Sequence, residues 1–235
     1  AVTLGADTVL RGSSVTLAGS TDGAHALTVN ASNTRFGAAV GAGTALTRLT
    51  TDAAGSTRLT GNVTTTGAQT YNDHLQLDAD ATLTGSALSF AGSIDGARAL
   101  TLDSGSTVGF GGAVGATTAL ARLEVGGDVL LGAGSVRSTG TQSYDGSLTL
   151  ASDTTLAASA LTVGGAVDGA HALTVQTAGT SRFGAAIGAG TALDSLSLQG
   201  GGAVQLLGAS VTTSGAQAYS GDLQLNGSTR LTGTG

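Results

Sequence analysis

Apolar residues along this chain recur at every second position in short bursts, broken every few residues by Gly, Asp, Asn or Ser. Leu27/Val29, Leu100/Leu102 and Leu173/Val175 point one way, with Thr28, Thr101 and Thr174 between them pointing the other. The pairs Val15/Leu17, Leu88/Phe90 and Leu161/Val163 repeat the scheme, as do Leu75/Leu77, Leu148/Leu150 and Leu223/Leu225, and Leu123/Val125 and Leu196/Leu198. Alternation of period two over so few residues predicts short half-buried strands, and no stretch has helical periodicity.

These bursts belong to a long tandem repeat. Asp22-Gly-Ala-His-Ala-Leu-Thr-Val29 returns as Asp95-Gly-Ala-Arg-Ala-Leu-Thr-Leu102 and again as Asp168-Gly-Ala-His-Ala-Leu-Thr-Val175, 73 residues apart each time. Phe36-Gly-Ala-Ala-Val-Gly41, Phe110 to Gly115 and Phe183 to Gly188 follow at the same interval, with one extra residue between the first two. Residues 1–14 match the end of a unit, full units run over 15–87 and 88–160, and a third occupies 161–235. Neither end has a distinct capping sequence, which suggests one continuous array cut from a longer one.

So many short strands per unit argue against long hairpins and for a coil of parallel strands. The expected fold is an all-β solenoid with roughly 20 residues per turn, three to four turns per unit and about a dozen in total. At ~4.8 Å per turn this is a rod roughly 50–60 Å long. Proline would interrupt the ladders of such a coil, and the chain has none. Its 40 glycines suit corners between faces.

Composition narrows the function. At 40% hydrophobic and 10% charged the chain has the means to fold, yet it has no Cys, Met or Trp and only 3% aromatics, so small aliphatic residues must fill the interior. A net charge of −6 with scattered Arg provides no basic stripe, which argues against nucleic acid as a partner. No apolar run is long enough to span a bilayer, and Ala1 onwards does not read as a signal peptide.

Candidate chemistry is sparse. The glycine runs Gly109 to Gly115 and Gly132-Ala-Gly134 lack the Lys and helix of a phosphate cradle and read as corners. His25 and His171 share a repeat position with Arg98, and His74 is matched by Ser147 and Asp222, so no metal or cofactor is expected. Asp78 and Asp80 have the spacing of a carboxylate pair, but only Asp80 is repeated, as Asp7 and Asp153, which reads as a turn cap. No nucleophile elbow is present, so the chain reads as a non-enzyme, with no catalytic residue. Threonine runs at Thr64 to Thr66 and Val211 to Thr213 are interrupted in the middle unit by Val136-Arg-Ser138, which argues against a regular hydroxyl array. Asn30, Asn62 and Asn226 stand in sequons. Tyr71, Tyr144 and Tyr219, one per unit at the close of Gly-Ala-Gln-Thr-Tyr and its variants, are the candidate for a spaced outer binding row, with turn packing as the alternative.

The phrases Gly67-Ala-Gln-Thr-Tyr71, Leu4-Gly-Ala-Asp-Thr8 and Phe110-Gly-Gly-Ala-Val-Gly115 resemble the degenerate repeats of large bacterial surface exoproteins of the filamentous haemagglutinin type, including two-partner-secreted adhesins and autotransporter passengers. The resemblance implies a right-handed parallel β-helix, a secreted or cell-surface location, and export through an outer-membrane β-barrel transporter. It also implies a role in adhesion or biofilm, with host-cell glycans or proteins or other bacterial cells as partners. The leading expectation is a stalk, with a direct binding face as the runner-up and a polysaccharide-cleaving enzyme third.

Overall fold

The computed structural model describes residues 1–234; Gly235, the last residue assigned to the third unit, lies outside them. The described residues form an all-β solenoid of about 12 turns, with about 19 residues per turn. Every paired strand is parallel to its neighbours, and no helix occurs among the described residues.

Three strand columns wall the coil. The first face climbs through Leu27, Leu49, Gln69, Leu88, Val108, Val129 and Leu148. The second runs through Thr34, Thr57, Leu75, Ile94, Val114 and Val136 to Leu156 and Val175. The third contains Val40, Val63, Leu83, Leu102, Val125, Tyr144, Val163 and Phe183. Within a turn the chain visits them in that order, as the stretch Leu27, Thr34, Val40 shows.

The alternation sorts side chains as the sequence predicts. In strand Ala99–Ser104, Leu100 and Leu102 are buried while Thr101 is half-buried and Asp103 is exposed. One continuous apolar core threads the coil, with Tyr71, Phe90 and Phe110 stacked along the first face at centroid spacings of 5.3 and 5.6 Å. Such offset ring pairs add to simple area burial.

The 73-residue repeat does not match a whole number of turns. From Leu27 the first face climbs three turns to Leu88; the chain then crosses the second face at Ile94 and reaches the third at Leu100, the repeat partner of Leu27. One unit is therefore three and two-thirds turns, and the next partner, Leu173, falls on the second face. Phe36, Phe110 and Phe183 likewise occupy the second, first and third faces. Equivalent residues of successive units look out in three directions.

Corners are built alike on every face. Gly23, Gly96 and Gly169 have φ of 129°, 132° and 126°, and a Cβ on any of them would strike the carbonyl of Leu4, Leu77 or Leu150 in the preceding turn. Only glycine combines that backbone angle with so close an approach.

Candidate functional site

The three tyrosines do not form an outer row. Tyr71 and Tyr144 are fully buried, Tyr219 is half-buried, and they lie on the first, third and second faces respectively. Strand geometry is the reason. In Gln69–Tyr71 the residues at both ends point inward and Thr70 points out, because side chains two apart share a face.

The motif instead makes an internal clamp. Gln69 Nε2 donates to the carbonyl of Val63 at 3.2 Å and to that of Thr84, one turn on, at 2.9 Å, while its Oε1 accepts from the Tyr71 hydroxyl at 3.0 Å. Gln142 does the same with Val136, Ala157 and Tyr144, and Gln217 with Val211, Thr232 and Tyr219. One amide thus ties a corner to the turn beyond it and satisfies the buried phenol. Thr65, Ser138 and Thr213 complete the corner by donating to the carbonyls of Gly67, Gly140 and Gly215. The hydroxyls of Thr65 and Thr213 are therefore turned inward, and these runs present no plane of threonines. Desolvation pushes the Tyr71 and Tyr144 phenols far above their ordinary range, with the Asp73 charge adding to the effect at Tyr71. The Tyr219 phenol is pushed up to about 12 by the same cause.

Shared acidic residues hold neighbouring turns. Asp22 Oδ1 accepts from the backbone N–H of Gly43 at 2.7 Å and of Thr44 at 3.1 Å; Asp95 does so from Thr117 and Thr118, and Asp168 from Gly190 and Thr191. These bonds, that from Gly43 foremost, hold the Asp22 carboxyl below its ordinary range. Asp7, Asp80 and Asp153 accept from the N–H of Ala26, Ala99 and Ala172, each a turn away. They act as turn caps.

Asp78 is engaged elsewhere, taking two bonds from Arg58, at 3.0 Å from Nε and 2.6 Å from Nη2. Asp78 and Asp80 therefore have separate structural partners. His25 and His171 lie 3.7 and 3.6 Å from Asp7 and Asp153, on different faces, and His74 Nδ1 is 2.8 Å from Ser93 Oγ. No cluster of three metal-ligating side chains occurs among the described residues. Asn62 uses its side-chain oxygen to accept from the N–H of Thr82.

No family model, curated protein or solved structure gives a significant match to the chain. The internal repeats therefore provide the only comparison, with three copies of one sequence set on three faces of one rod.

Sequence reasoning missed the glutamines and Asp73. Gln69, Gln142 and Gln217 stand two residues before the tyrosines, at the period that marks a core pair, and that spacing was the available signal. Asp73 has no counterpart in the other units. It is buried, accepts at 2.7 Å from the hydroxyls of both Thr51 and Thr57, and is raised in pKa by desolvation against the opposing effect of those two bonds.

Proposed function

We propose that this chain is a rigid stalk segment of a bacterial surface adhesin of the filamentous haemagglutinin type, exported through an outer-membrane β-barrel transporter and supporting adhesion or biofilm formation. One observation supports this most: what the units have in common is scaffold. The shared aspartates cap turns, the shared glutamines and tyrosines clamp corners, and the shared glycines turn the chain. Outward strand positions are shared less regularly: Thr28, Thr101 and Thr174 agree in all three units, whereas Arg137 stands where the other two have Thr64 and Thr212. The advance of three and two-thirds turns per unit reinforces the reading, since a surface feature repeated with the sequence would be dispersed around the rod rather than gathered into one binding face. Stacked parallel turns with paired backbone groups resist bending, and length then scales with unit number.

The test is to display arrays of one, three and six units on cells, each array ending in the same binding module of known ligand. Attachment to a ligand-coated surface bearing a polymer brush should rise with unit number. It should persist when Thr28, Thr101 and Thr174 are all changed to Ser. Attachment independent of unit number would overturn the stalk reading, as would equal attachment by arrays that lack the binding module and carry Arg137→Gln.

A further inference from the structure

Beyond the stalk, the second face has a notch that the repeat does not reproduce. Strands Ser135–Arg137, Thr154–Ala158, Ala172–Thr177 and Ser195–Gly200 pair in parallel with Arg137 opposite Ala157, Ala157 opposite Gln176, and Gln176 opposite Gln199. Val136, Leu156, Val175 and Leu198 fill the core, so this second set points outward. Ala157 is the short member of the column. Arg137 and Gln176 stand one strand away on either side of it, ~10 Å apart at the usual spacing. The space between and beside them is an open cleft of about 660 Å³, with Ala157 and Ala158 in its floor and Thr139 and Ser159 at its corner.

Two observations make the notch receptive to an anion. The Arg137 side chain has no hydrogen bond or ion pair among the described residues, and no acidic residue lines the cleft. The corresponding column on the third face reads Thr64, Thr84 and Asp103 in the same register, so there the floor position is filled and the wall is acidic. The same backbone thus has a cationic, small-floored notch on one face and an acidic one without it on another, and the architecture alone does not require Arg137.

We propose that the Arg137 notch binds a carboxylate-bearing sugar of an acidic polysaccharide. A guanidinium presents a planar donor fork that matches a carboxylate with two parallel bonds. The alanine floor offers apolar contact to one face of a sugar ring. The Gln176 amide and the Ser159 hydroxyl supply donors and acceptors for ring hydroxyls, while Gln199, which donates to Ser197 Oγ, and Thr139, which donates to the Leu120 carbonyl, keep oxygens that accept. The notch is shallow and wet, so a single engagement is weak, on the order of millimolar, and gains by avidity where many rods and many sugars meet.

The test is an NMR titration of the isotope-labelled chain with a hexameric oligouronate, its carboxyl-reduced neutral counterpart, sialyllactose, and a glutamate hexapeptide. The oligouronate should shift the amides of Arg137–Thr139, Ala157–Ser159 and Gln176–Ala178. Arg137→Gln, an exposed substitution with its fold checked by circular dichroism, should weaken it by about tenfold or more, the loss of one charge-assisted contact. Arg98→Gln, on an exposed corner elsewhere, should leave it unchanged. Response to sialyllactose alone would assign the notch to a terminal sugar acid, and to oligouronate alone to an internal one; either sustains the proposal. Equal response to the neutral sugar or the glutamate peptide, shifts spread over all faces, or insensitivity to Arg137→Gln would overturn it. None of these outcomes bears on whether attachment scales with unit number, so the stalk reading stands or falls separately.

Discussion

Tyr144 and Tyr219 occupy the same place in the repeat and make the same bond to a glutamine, at 3.1 and 2.8 Å, yet the first is fully buried and the second half-buried. The difference lies in the next turn. Tyr144 has a strand on each side, Arg122–Val125 and Leu161–Val163, whereas Gln217–Tyr219 pairs only with Ser195–Gly200 among the described residues. In a solenoid a residue's own motif fixes its direction and bonding, but its neighbours along the axis supply its burial. Stability is then a sum of local units and the interfaces between them.

The largest expected effect tests that statement directly. Tyr144→Ala opens a cavity in a closed section of core and should cost about 3–5 kcal/mol, the usual range for losing a large buried aromatic side chain. Tyr219→Ala should cost less than half as much, because much of the ring already meets solvent. Denaturant unfolding of the two variants checks this, and equal losses would show that burial by the adjoining turn is not what separates the two sites. Adding one further 73-residue unit after Gly235 should raise the Tyr219→Ala cost to that of Tyr144→Ala.

A smaller effect separates the clamp from the ring it holds. Gln142→Leu keeps the bulk but leaves the Val136 and Ala157 carbonyls and the Tyr144 hydroxyl without their amide partner, at a cost of about 1–3 kcal/mol. Gln217→Leu should cost less, since Gln217 is partly exposed and water can replace the amide. Unfolding midpoints, with amide exchange at Ala157 and Thr232 as the local readout, measure both. Faster exchange at both sites to the same degree would mean that the clamp works without regard to solvent.

Much of this architecture was legible in the sequence, and what was not has identifiable physical causes. Pairs such as Leu100/Leu102 fixed the strand faces because apolar residues two apart have one core to share, and the absence of Pro together with the recurrent Gly fitted parallel ladders with sharp corners. The sequence left the tyrosines open between an outer row and turn packing, because nothing in it marks Gln69, Gln142 and Gln217 as their buried partners. A buried amide is tolerated where backbone carbonyls of two turns and a phenol satisfy it, and only the fold brings those groups together. The rotation between units was hidden because turns differ in length. Gln142 and Leu161 are 19 residues apart across one turn, while Leu100 and Leu123 are 23 apart across another that includes the loop following Val114. A 73-residue period divided by a guessed turn length cannot reveal a two-thirds remainder. The Arg137 notch was invisible for a related reason: Arg137, Ala157 and Gln176 are neighbours only once the register is known.

The smallest effect is an alkaline one, and it sharpens the same comparison without any substitution. Burial raises the folded-state pKa of Tyr219 from 10.0 to about 12, so the neutral phenol is favoured by folding. A group whose folded pKa lies above its unfolded value contributes stability that is complete below the unfolded pKa and is lost as pH rises through the folded one. Tyr219 should therefore begin to ionise between pH 10 and 12 in the folded chain, loosening the turn that contains Gln217–Tyr219, while Tyr71 and Tyr144, raised further, stay neutral until the coil itself opens. Tyrosinate absorbance should accordingly rise in two steps, the first about half the size of the second. Tyr219→Phe should remove the first step and leave the second. A single step of three tyrosines, or a first step that survives Tyr219→Phe, would show that the Gln217–Tyr219 clamp is as closed as the other two and that the contrast between them is wrong.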